Sequence, residues 1–409
     1  MTKQLKVDSV VNVAGTGKPN FPVSPTSGGA ALSTLNTHSY TSSATEPSSP
    51  KNGAIWWDSA NSKVYVYANG EFKEISLNTD YPSAYSLGID WGGTRHVYSC
   101  YEGSGSSAIN TDTIQYFSSA ASAGTTAQDF GNLSAARLTY AATSSQTRGL
   151  FIGSAGGSNI SSDTSGQVID YITIATTGNA TDFGDLYFIE QSSYVLESQN
   201  ATGNGTRGII FGGYSSWTGT KNNIEYVTIA NTGNAADFGD LGEANRQGGA
   251  CSDATRAVYA RGTNGTNNGI EYVTIDTTGN ATSFGTQTVN HAKQFAGCSD
   301  ATRGIFAGGD TGVRINSISY ITIQTTGNST DFGDMTGPRS RLGCTSDGTY
   351  GTMTGGRHDG SLPDGAGGTT STWTNRIDRI TIQTAGNATD FGDTVNAASF
   401  VAACAGNPS

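Results

Sequence analysis

Short runs of alternating apolar and polar residues, bounded by glycine-rich turns, recur along most of this chain. The clearest example has runs at 294–298, 304–307, 318–323 and 330–334, separated by turns rich in Gly, Asp, Asn and Thr. Runs of this length with a period of two residues predict β-strands. Each unit is therefore predicted to form four strands, and no segment shows a convincing helical pattern.

Two landmarks show that this unit occurs six times. A phenylalanine within Asp-Phe-Gly or a close relative recurs every 46 to 59 residues, at Phe130, Phe183, Phe238, Phe284, Phe332 and Phe391. An arginine precedes the second run at Arg95, Arg148, Arg207, Arg256 and Arg303, and Thr349-Tyr350 replaces it in the sixth unit. A period of this size, built from strands and glycine turns, is typical of a β-propeller. We predict an all-β propeller of about six four-stranded blades, with seven as the alternative.

The run at 399–404 looks like the first strand of one further unit, although residues 84–90 already supply a first strand for unit one. An unpaired strand at this position would leave an exposed sheet edge, which natural β-proteins avoid. We therefore expect residues 399–404 to close the ring by pairing with the first unit.

The first 80 residues do not share the repeat. Residues 1–49 are rich in Gly, Ser, Thr and Pro and are predicted to form an extended arm or linker, with one strand at 6–13. Residues 50–80 contain alternating apolar runs and an Asn-Gly turn, which predict a small three-stranded meander. The predicted domains are thus 1–49, 50–80 and the propeller at 81–409.

Composition and charge exclude several classes of function. The net charge of −11 and the lack of a basic run argue against a nucleic-acid partner. No apolar run approaches the 18 residues of a membrane span, and no apolar segment follows Met1. We expect synthesis in a cytoplasm, without a signal peptide or membrane insertion.

Four of the five cysteines occupy matching positions in the predicted first strands: Cys251, Cys298, Cys344 and Cys404. Cysteine at such a position is expected to pack as a small buried apolar residue. The alternative is a ring of thiolates around a metal, but the closely spaced pairs typical of such sites are absent. No metal or other cofactor is predicted.

The paired aspartates of the Asp-Phe-Gly-Asp phrase invite a catalytic interpretation. Glycoside hydrolysis needs one pair of acids in different environments, whereas these pairs recur in equivalent ones. Turn capping and solvated strand edges explain them better, and calcium binding in some turns is left as an alternative. Because the four histidines form no metal or nucleophile pattern, the chain is predicted not to be an enzyme.

The copies differ most in the connection between the second and third strands, which is longest at 357–375. In a propeller these connections share one rim, and variable loops on a rigid scaffold typically form binding surfaces. The candidate residues for binding a receptor or glycan are Tyr214, Trp217, Arg357, His358, Asp359, Asp364 and Trp373. The aromatic rings would stack on sugars and the polar groups would form hydrogen bonds. The alternative is that these side chains only fasten the loops to the blades.

Some segments resemble known families. The Gly-Gly after the second strand and the aromatic residue in the third resemble kelch-type propeller blades, although most units lack the tryptophan usual there. Residues 53–59 and 64–70 resemble a module of tailed-bacteriophage virion proteins. The phrase Thr-Gly-Asn-Ala-Thr-Asp-Phe-Gly-Asp is similar to repeats in structural proteins of marine cyanophages.

These resemblances imply a fibre or appendage protein of a virion. The N-terminal region would attach to other virion proteins, with the apolar positions Leu5, Val7, Val10, Val11 and Val13 as candidate contacts. The propeller would contact a host-surface glycan or receptor, and a homo-oligomer is implied, with a trimer favoured.

The leading hypothesis is a phage tail fibre or related receptor-binding protein. The first alternative is a structural decoration of capsid, neck or baseplate that binds no receptor. The second is a polysaccharide depolymerase, which would require one site with unmatched acids.

Overall fold

A computed structural model describes residues 26–27, 30–31, 40–43, 45–48, 54–58, 63–68, 71–75, 92–104, 107–109, 112–139, 141–153, 167–188, 196–215, 217–262, 268–359 and 372–407. The chain divides into two compact units, Met1–Pro82 and Ser83–Ser409. Every regular element in the described ranges is a β-strand, which confirms the all-β prediction. Within these ranges, no helix is long and apolar enough to cross a membrane.

The described part of the first unit contains six strands: β1 (Thr26–Ser27), β2 (Ala30–Ala31), β3 (Tyr40–Ser43), β4 (Ile55–Asp58), β5 (Lys63–Ala68) and β6 (Glu71–Ile75). Strands β4, β5 and β6 form an antiparallel meander, in which Trp56 stacks on Tyr65 at 4.9 Å. Strand β3 pairs parallel to β4, inside the segment that the sequence predicted as an arm. The strand predicted at 6–13 lies outside the described residues.

The residues described in the second unit form 27 further strands. They are β7 (Arg95–Ser104), β8 (Ser107–Ile109), β9 (Thr113–Ser118), β10 (Thr125–Thr126), β11 (Gln128–Asn132), β12 (Ala141–Ser144), β13 (Arg148–Ile152), β14 (Val168–Thr173), β15 (Thr181–Asp185), β16 (Leu196–Glu197), β17 (Asn200–Gly203), β18 (Arg207–Ser215), β19 (Gly219–Thr228), β20 (Ala236–Asp240), β21 (Gly249–Ser252), β22 (Arg256–Ala260), β23 (Gly269–Thr274), β24 (Thr282–Thr286), β25 (Ala296–Ser299), β26 (Arg303–Ala307), β27 (Ser317–Thr322), β28 (Thr330–Asp334), β29 (Gly343–Ser346), β30 (Tyr350–Thr354), β31 (Arg357–His358), β32 (Thr372–Thr381) and β33 (Thr389–Gly406).

These strands form a β-propeller with four separate antiparallel blades: β12–β15, β16–β20, β21–β24 and β25–β28. The other strands join in one ten-stranded sheet, whose main path is β11-β9-β7-β33-β32-β30-β29. The prediction of six separate blades is therefore wrong, because four blades are separate sheets and the remaining strands share one sheet. The cause is β33, a single continuous strand that pairs with β32 along one part and with β7 along the next.

The same strand closes the ring. Residues Ala402–Gly406 pair antiparallel with Arg95–Ser99 of β7, which confirms the expected closure by the segment at 399–404. The first strands β12, β17, β21, β25 and β29 and the last part of β33 each contact the next around the centre. Each of these six segments therefore has a neighbour on both sides.

The recurring phenylalanines are core residues. Phe332 is buried among Ile305, Ile318 and Met335, and all six phenylalanines expose 4 % of their surface or less. Burying a side chain of this size contributes about 1.5–3 kcal/mol.

The Thr-Gly-Asn and Asp-Phe-Gly-Asp phrases fasten neighbouring repeats to each other. The amide of Gly233 donates to the carbonyl of Phe183 at 2.7 Å, and the Asn234 side chain accepts from the amide of Asp185 at 3.1 Å. Gly184 (φ 146°) lies so close to Gly233 that a Cβ would overlap its carbonyl. In the same way, an asparagine side-chain oxygen of the next repeat accepts from the backbone amides of Asn132, Asp240, Thr286 and Asp334. We call this contact the outer clasp.

The arginine landmark forms a second fastening. Arg148 stacks over Tyr171 of its own blade at 4.5 Å and donates to the carbonyls of Ile229 and Ala230 in the next blade, at 3.0 and 2.8 Å. The same pattern recurs at Arg95, Arg207, Arg256 and Arg303.

The sixth unit retains this fastening by exchanging its two residues. Tyr350 stands where the other units have arginine, and Arg379 stands where they have tyrosine. Arg379 stacks over Tyr350 at 4.6 Å and donates to the carbonyl of Ser119 at 3.1 Å. The replacement seen in the sequence is therefore compensated on the neighbouring strand.

The five cysteines of the described chain are buried free thiols, which confirms the predicted packing role of the four in the first strands. Burial raises the pKa of the Cys404 thiol to about 12. Such a thiol stays protonated and unreactive at neutral pH.

Candidate binding face of the propeller

The variable connections share one face with the connections that lead into the first strands. Neighbouring strands of each blade run antiparallel, so both kinds of connection emerge at the same end of the sheet. They also bond to each other: Gly213 donates its amide to the carbonyl of Asn245 at 3.0 Å, and Asn245 donates to Lys221 at 2.8 Å. We call this side the loop face. The outer clasps and the turns of the first hairpins lie on the opposite side.

All exposed large apolar side chains of the described residues belong to the loop face. Tyr187, Trp217, Val313 and Val395 expose half or more of their surface, and Phe188 exposes 38 %. Tyr187 and Phe188 lie edge to face at 5.0 Å in the connection after β15, and Trp217 lies at the tip of the β18–β19 hairpin. Tyr187 and Phe188 form an exposed aromatic pair, and contiguous exposed apolar side chains are typical of an interaction site.

The structure distributes the predicted site residues over two separate parts of this face. Tyr214 and Trp217 belong to the β18–β19 hairpin, and Arg246 covers the Tyr214 ring at 3.9 Å. Trp217 is 55 % exposed, whereas Tyr214 is half-buried. Of this pair, Trp217 offers the more accessible ring for stacking.

Arg357, His358 and Trp373 lie on strands β31 and β32, and Asp359 directly follows β31. Two blades separate these strands from the β18–β19 hairpin. Arg357 pairs with Trp373 across this hairpin, and the neighbouring His358 is buried. Asp359 forms an ion pair with Arg314 of the preceding blade. These contacts fasten the hairpin to its neighbours. Asp364, Leu5, Val7, Val10, Val11 and Val13 lie outside the described residues.

A small cavity opens at the centre of the loop face, where the first strands begin. Its volume is about 80 Å³, and its lining includes Ser198, Gln247, Gln294, Arg341 and Phe400. Among the described residues of this lining, Arg341 is the charged one.

These five residues share an unusual backbone conformation. Each precedes a first strand, or the part of β33 that replaces one, and each has a positive φ: Ser198 64°, Gln247 59°, Gln294 60°, Arg341 61° and Phe400 51°. For a residue other than glycine this conformation costs about 1–2 kcal/mol. Backbone strain of this kind tends to cluster at functional sites. We call these residues the mouth ring.

Hydrogen bonds explain why the ring residues adopt this conformation. The amide of Gln247 donates to Ser198 O at 3.0 Å, that of Gln294 to Gln247 O at 2.7 Å, and that of Arg341 to Gln294 O at 2.8 Å. A longer bond of 3.4 Å joins Val401 to Arg341 O. The left-handed turn presents each carbonyl to the next unit, so a belt of bonds around the channel holds the strained conformation.

The side chains of the ring also contact one another. Arg341 donates from Nε to Gln294 Oε1 at 3.1 Å and stacks over the Phe400 ring at 4.2 Å. Gln247 donates from Nε2 to Ser198 Oγ at 3.5 Å. Stacking and hydrogen bonding hold the guanidinium of Arg341 at the mouth.

A buried carboxylate lies beneath the exposed aromatic pair. Glu225 is fully buried in β19 and accepts from the amides of Tyr187 at 2.7 Å and Phe188 at 3.5 Å, and from Asn223 Nδ2 at 2.9 Å. Burial raises the pKa of Glu225 to about 7, with a smaller contribution from Asp237, although the three hydrogen bonds oppose the shift.

Glu225 differs from the acids at the same position of other third strands. Asp170, Glu271 and Asp378 each accept from a connection amide and also pair with an arginine: Arg137 at 2.8 Å, Arg261 at 2.9 Å and Arg339. No described arginine or lysine forms an ion pair with Glu225, and the connection at 186–199 contains no basic residue. Glu225 is thus a buried acid without a cationic partner in the described structure.

The paired aspartates of the outer clasp lie in the fourth strands of the repeats. Burial and the neighbouring Asp182 raise the pKa of Asp185, and burial and Asp390 raise that of Asp393. Their backbone groups carry the contacts between repeats, a role that the sequence analysis missed. Among the residues that the structure describes, no three His, Cys, Asp or Glu side chains are placed to hold a metal ion.

Sequence reasoning also missed the mouth ring and the Tyr187–Phe188 pair. Two adjacent aromatic residues in an otherwise polar connection were a visible signal for the pair. The ring had no such signal, because Gln, Arg and Phe are not residues that mark a positive φ.

Comparison with known proteins leaves the family open. The sequence matches no protein-family model, and no curated protein is significantly similar to it. The class of the protein therefore follows from the structure, which is an all-β propeller with its exposed apolar side chains on one face.

Proposed function

We propose that this protein is the receptor-binding part of a tailed-phage fibre, and that its loop face binds a glycan on the host surface. The observation that carries the proposal is the confinement of Tyr187, Phe188 and Trp217 to that face, around the blade β16–β20. Exposed aromatic rings in a polar surrounding suit the apolar face of a sugar ring. The sequence resemblance to virion proteins supplies the phage context.

The proposal includes the architecture of the ring. We count six kelch-like repeats, because the ten-stranded sheet contains two sets of strands that carry the same fastenings as the four separate blades. The outer clasp between them is supplied by Gly124, whose amide donates to the carbonyl of Phe391 at 2.7 Å, and by the pairing of β10 with β33. The residues before the propeller would attach the protein to the particle, as an oligomer.

The test measures binding of the purified full chain to surface polysaccharide extracted from susceptible host cells, and competition with phage adsorption. Trp217→Ala should weaken binding by about tenfold or more, the usual effect of removing a central aromatic anchor. The matched control is Thr278→Ala, because Thr278 is exposed in a turn on the opposite face. Equal binding by wild type and Trp217→Ala would refute the assigned surface.

A second arm of the same experiment tests attachment. A chain lacking residues 1–80 should bind the polysaccharide but fail to enter virions. Its normal incorporation would contradict the anchoring role. If the full chain enters virions but binds no host polysaccharide, the purely structural alternative is favoured instead.

A further inference from the structure

The backbone of the exposed Tyr187–Phe188 pair is bonded to a carboxyl group that water does not reach. Glu225 is fully buried, and it accepts from the amides of Tyr187 at 2.7 Å and of Phe188 at 3.5 Å. We propose that Glu225 is a pH-sensitive latch, which holds the aromatic pair on the loop face while it is protonated and releases the pair when it ionises. This inference rests on the proposed glycan-binding function, because it adds a form of regulation to the same surface.

The equivalent acids of other repeats are held in a different way. Asp170, Glu271 and Asp378 also accept from a connection amide. Each of them is paired with an arginine, whose charge compensates that of a buried carboxylate. At Glu225 the side-chain contact is instead the neutral amide of Asn223, which donates from Nδ2 at 2.9 Å. Ionisation of Glu225 therefore places an uncompensated charge inside the protein, which is costly.

The groups that face Glu225 from the neighbouring elements do not offset this cost. Asp237 lies directly opposite Glu225 in the pairing of β19 with β20, and its negative charge opposes ionisation. β18 places the apolar Ile210 opposite Glu225. On the side of the connection lie Asp185, which ends β15, and the exposed phenol of Tyr187. Both of these groups are acids, so neither supplies a positive charge.

The basic residues do not supply a partner either. β18 contains Arg207, which donates to the carbonyl of Ile275 in the next blade at 2.8 Å, and β19 contains Lys221. The structure describes every Lys, Arg and His of residues 83–409, and none of them forms an ion pair with Glu225. Burial accordingly raises the pKa of Glu225 to about 7.

Asn223 gives the proton a hydrogen-bond acceptor in the closed state. Its Oδ1 is buried and has no hydrogen-bond partner among the described residues. The two amide atoms exchange places when the group rotates by 180°. After this rotation, protonated Glu225 donates from Oε1 to Asn223 Oδ1 and still accepts from the Tyr187 amide through Oε2. On ionisation the proton passes to solvent, and water reaches the carboxylate only when the aromatic pair moves away.

The direction of the pH effect follows from the two states. Release of the pair exposes Glu225 to water, where its pKa returns from about 7 to its ordinary value of 4.5. The released state therefore binds fewer protons than the closed state, and rising pH favours it. These two pKa values raise the ratio of released to closed protein by about tenfold between pH 6 and pH 8.5.

The first experiment measures hydrogen exchange at the Tyr187 and Phe188 amides of the full chain, by mass spectrometry of overlapping peptides at pH 6 and pH 8.5. After correction for the intrinsic pH dependence of exchange, protection of these amides should fall about tenfold in the wild type. It should stay constant in Glu225→Gln, which cannot ionise. The matched control is the amide of Gly242, which donates to the arginine-paired Glu271 at 2.9 Å and should keep its protection.

Two results of the exchange experiment would overturn the latch. One is protection at Tyr187 and Phe188 that changes no more than that at Gly242. The other is an equal loss at all three amides, because it would show opening of the whole propeller instead of release of the pair. Both comparisons use the wild-type chain alone, so they hold even if Glu225→Gln does not fold.

The second experiment measures binding of the full chain to surface polysaccharide extracted from susceptible host cells, at the same two pH values. The affinity of the wild type should fall by up to about tenfold from pH 6 to pH 8.5, and that of Glu225→Gln should stay constant. Equal affinity of the wild type at both pH values would overturn the regulatory role. Absence of binding at both pH values would refute the glycan-binding function, while hydrogen exchange would still decide whether the latch exists.

Discussion

Glu225 should make the stability of the propeller depend on pH around neutrality. The carboxyl group is fully buried and has three hydrogen-bond donors but no cationic partner among the described residues. Burial raises its pKa from 4.5 to about 7. Each pKa unit corresponds to 1.36 kcal/mol, so ionisation of Glu225 in the folded protein lowers the unfolding free energy by about 3 kcal/mol.

The sign follows from the protonation states. Between pH 4.5 and 7 the folded protein keeps a proton on Glu225 that the unfolded chain has lost, so rising pH favours unfolding. The stabilising contribution of the protonated form is fully present below pH 4.5 and is lost as the pH rises through about 7.

The perturbation is Glu225→Gln, which keeps a carbonyl oxygen as acceptor for the Tyr187 amide but cannot ionise. The assay is urea unfolding of wild type and variant at pH 5 and pH 8.5, followed by tryptophan fluorescence. The unfolding free energy of the variant minus that of wild type should be about 2–3 kcal/mol larger at pH 8.5 than at pH 5. The difference between the two proteins isolates Glu225 from other titrating groups.

Glu271→Gln is the matched control, because Glu271 occupies the same position in the next blade but pairs with Arg261 at 2.9 Å. That change leaves a largely buried arginine with a weakened partner and should destabilise the protein at both pH values. If Glu225→Gln differs from wild type by the same free energy at pH 5 and pH 8.5, the reasoning about Glu225 is refuted.

Two further predictions concern the scaffold. Arg339→Met should lower the unfolding free energy by about 3–5 kcal/mol, because it leaves Asp378 buried without its cation; Arg339→Met with Asp378→Leu should recover part of the loss, and no recovery would contradict a charge-burial cause. Gly285→Ala should cost about 1–3 kcal/mol, because its Cβ would overlap the Gly327 carbonyl across the outer clasp. Gly327→Ala should change the unfolding free energy by less than about 0.5 kcal/mol, since its Cβ has open space; equal Tm values for these two variants would show that the clasp does not need close approach.

The sequence predicted the repeating strands well because each unit repeats a strong local pattern. The fourth strand of the clearest unit, 330–334, was placed correctly, and the second and third were placed within one residue. Apolar alternation and glycine turns depend on a few neighbouring residues, so strands can be predicted from the sequence alone.

Contacts between repeats could not be predicted from local sequence patterns. Thr349-Tyr350 looked like a lost landmark, because the compensating Arg379 lies on another strand and its carbonyl partner, Ser119, lies at the far end of the repeat array. The separate blades were overcounted for a similar reason: the pattern of 389–404 shows two strand segments, but not that they form one continuous strand, β33.

The candidate site was predicted only in outline. Placing the variable connections on one face required only the antiparallel order of the strands. The mouth ring depends on backbone hydrogen bonds between units, which impose a positive φ on residues such as Gln247 that do not favour it locally. His358 looked accessible in a polar loop, but pairing of the β31–β32 hairpin buries it.

The pairing of β33 with β7 has a consequence for biosynthesis. β33 is the last strand of the described chain, and nearly the whole propeller sequence lies between it and its partner. During translation, the edge of β7 that pairs with β33 therefore stays unpaired until the rest of the propeller has left the ribosome. Contacts between such distant residues form slowly, and an open strand edge can pair with another chain. Premature termination before β33 would thus release a propeller that assembles with its neighbours instead of closing on itself.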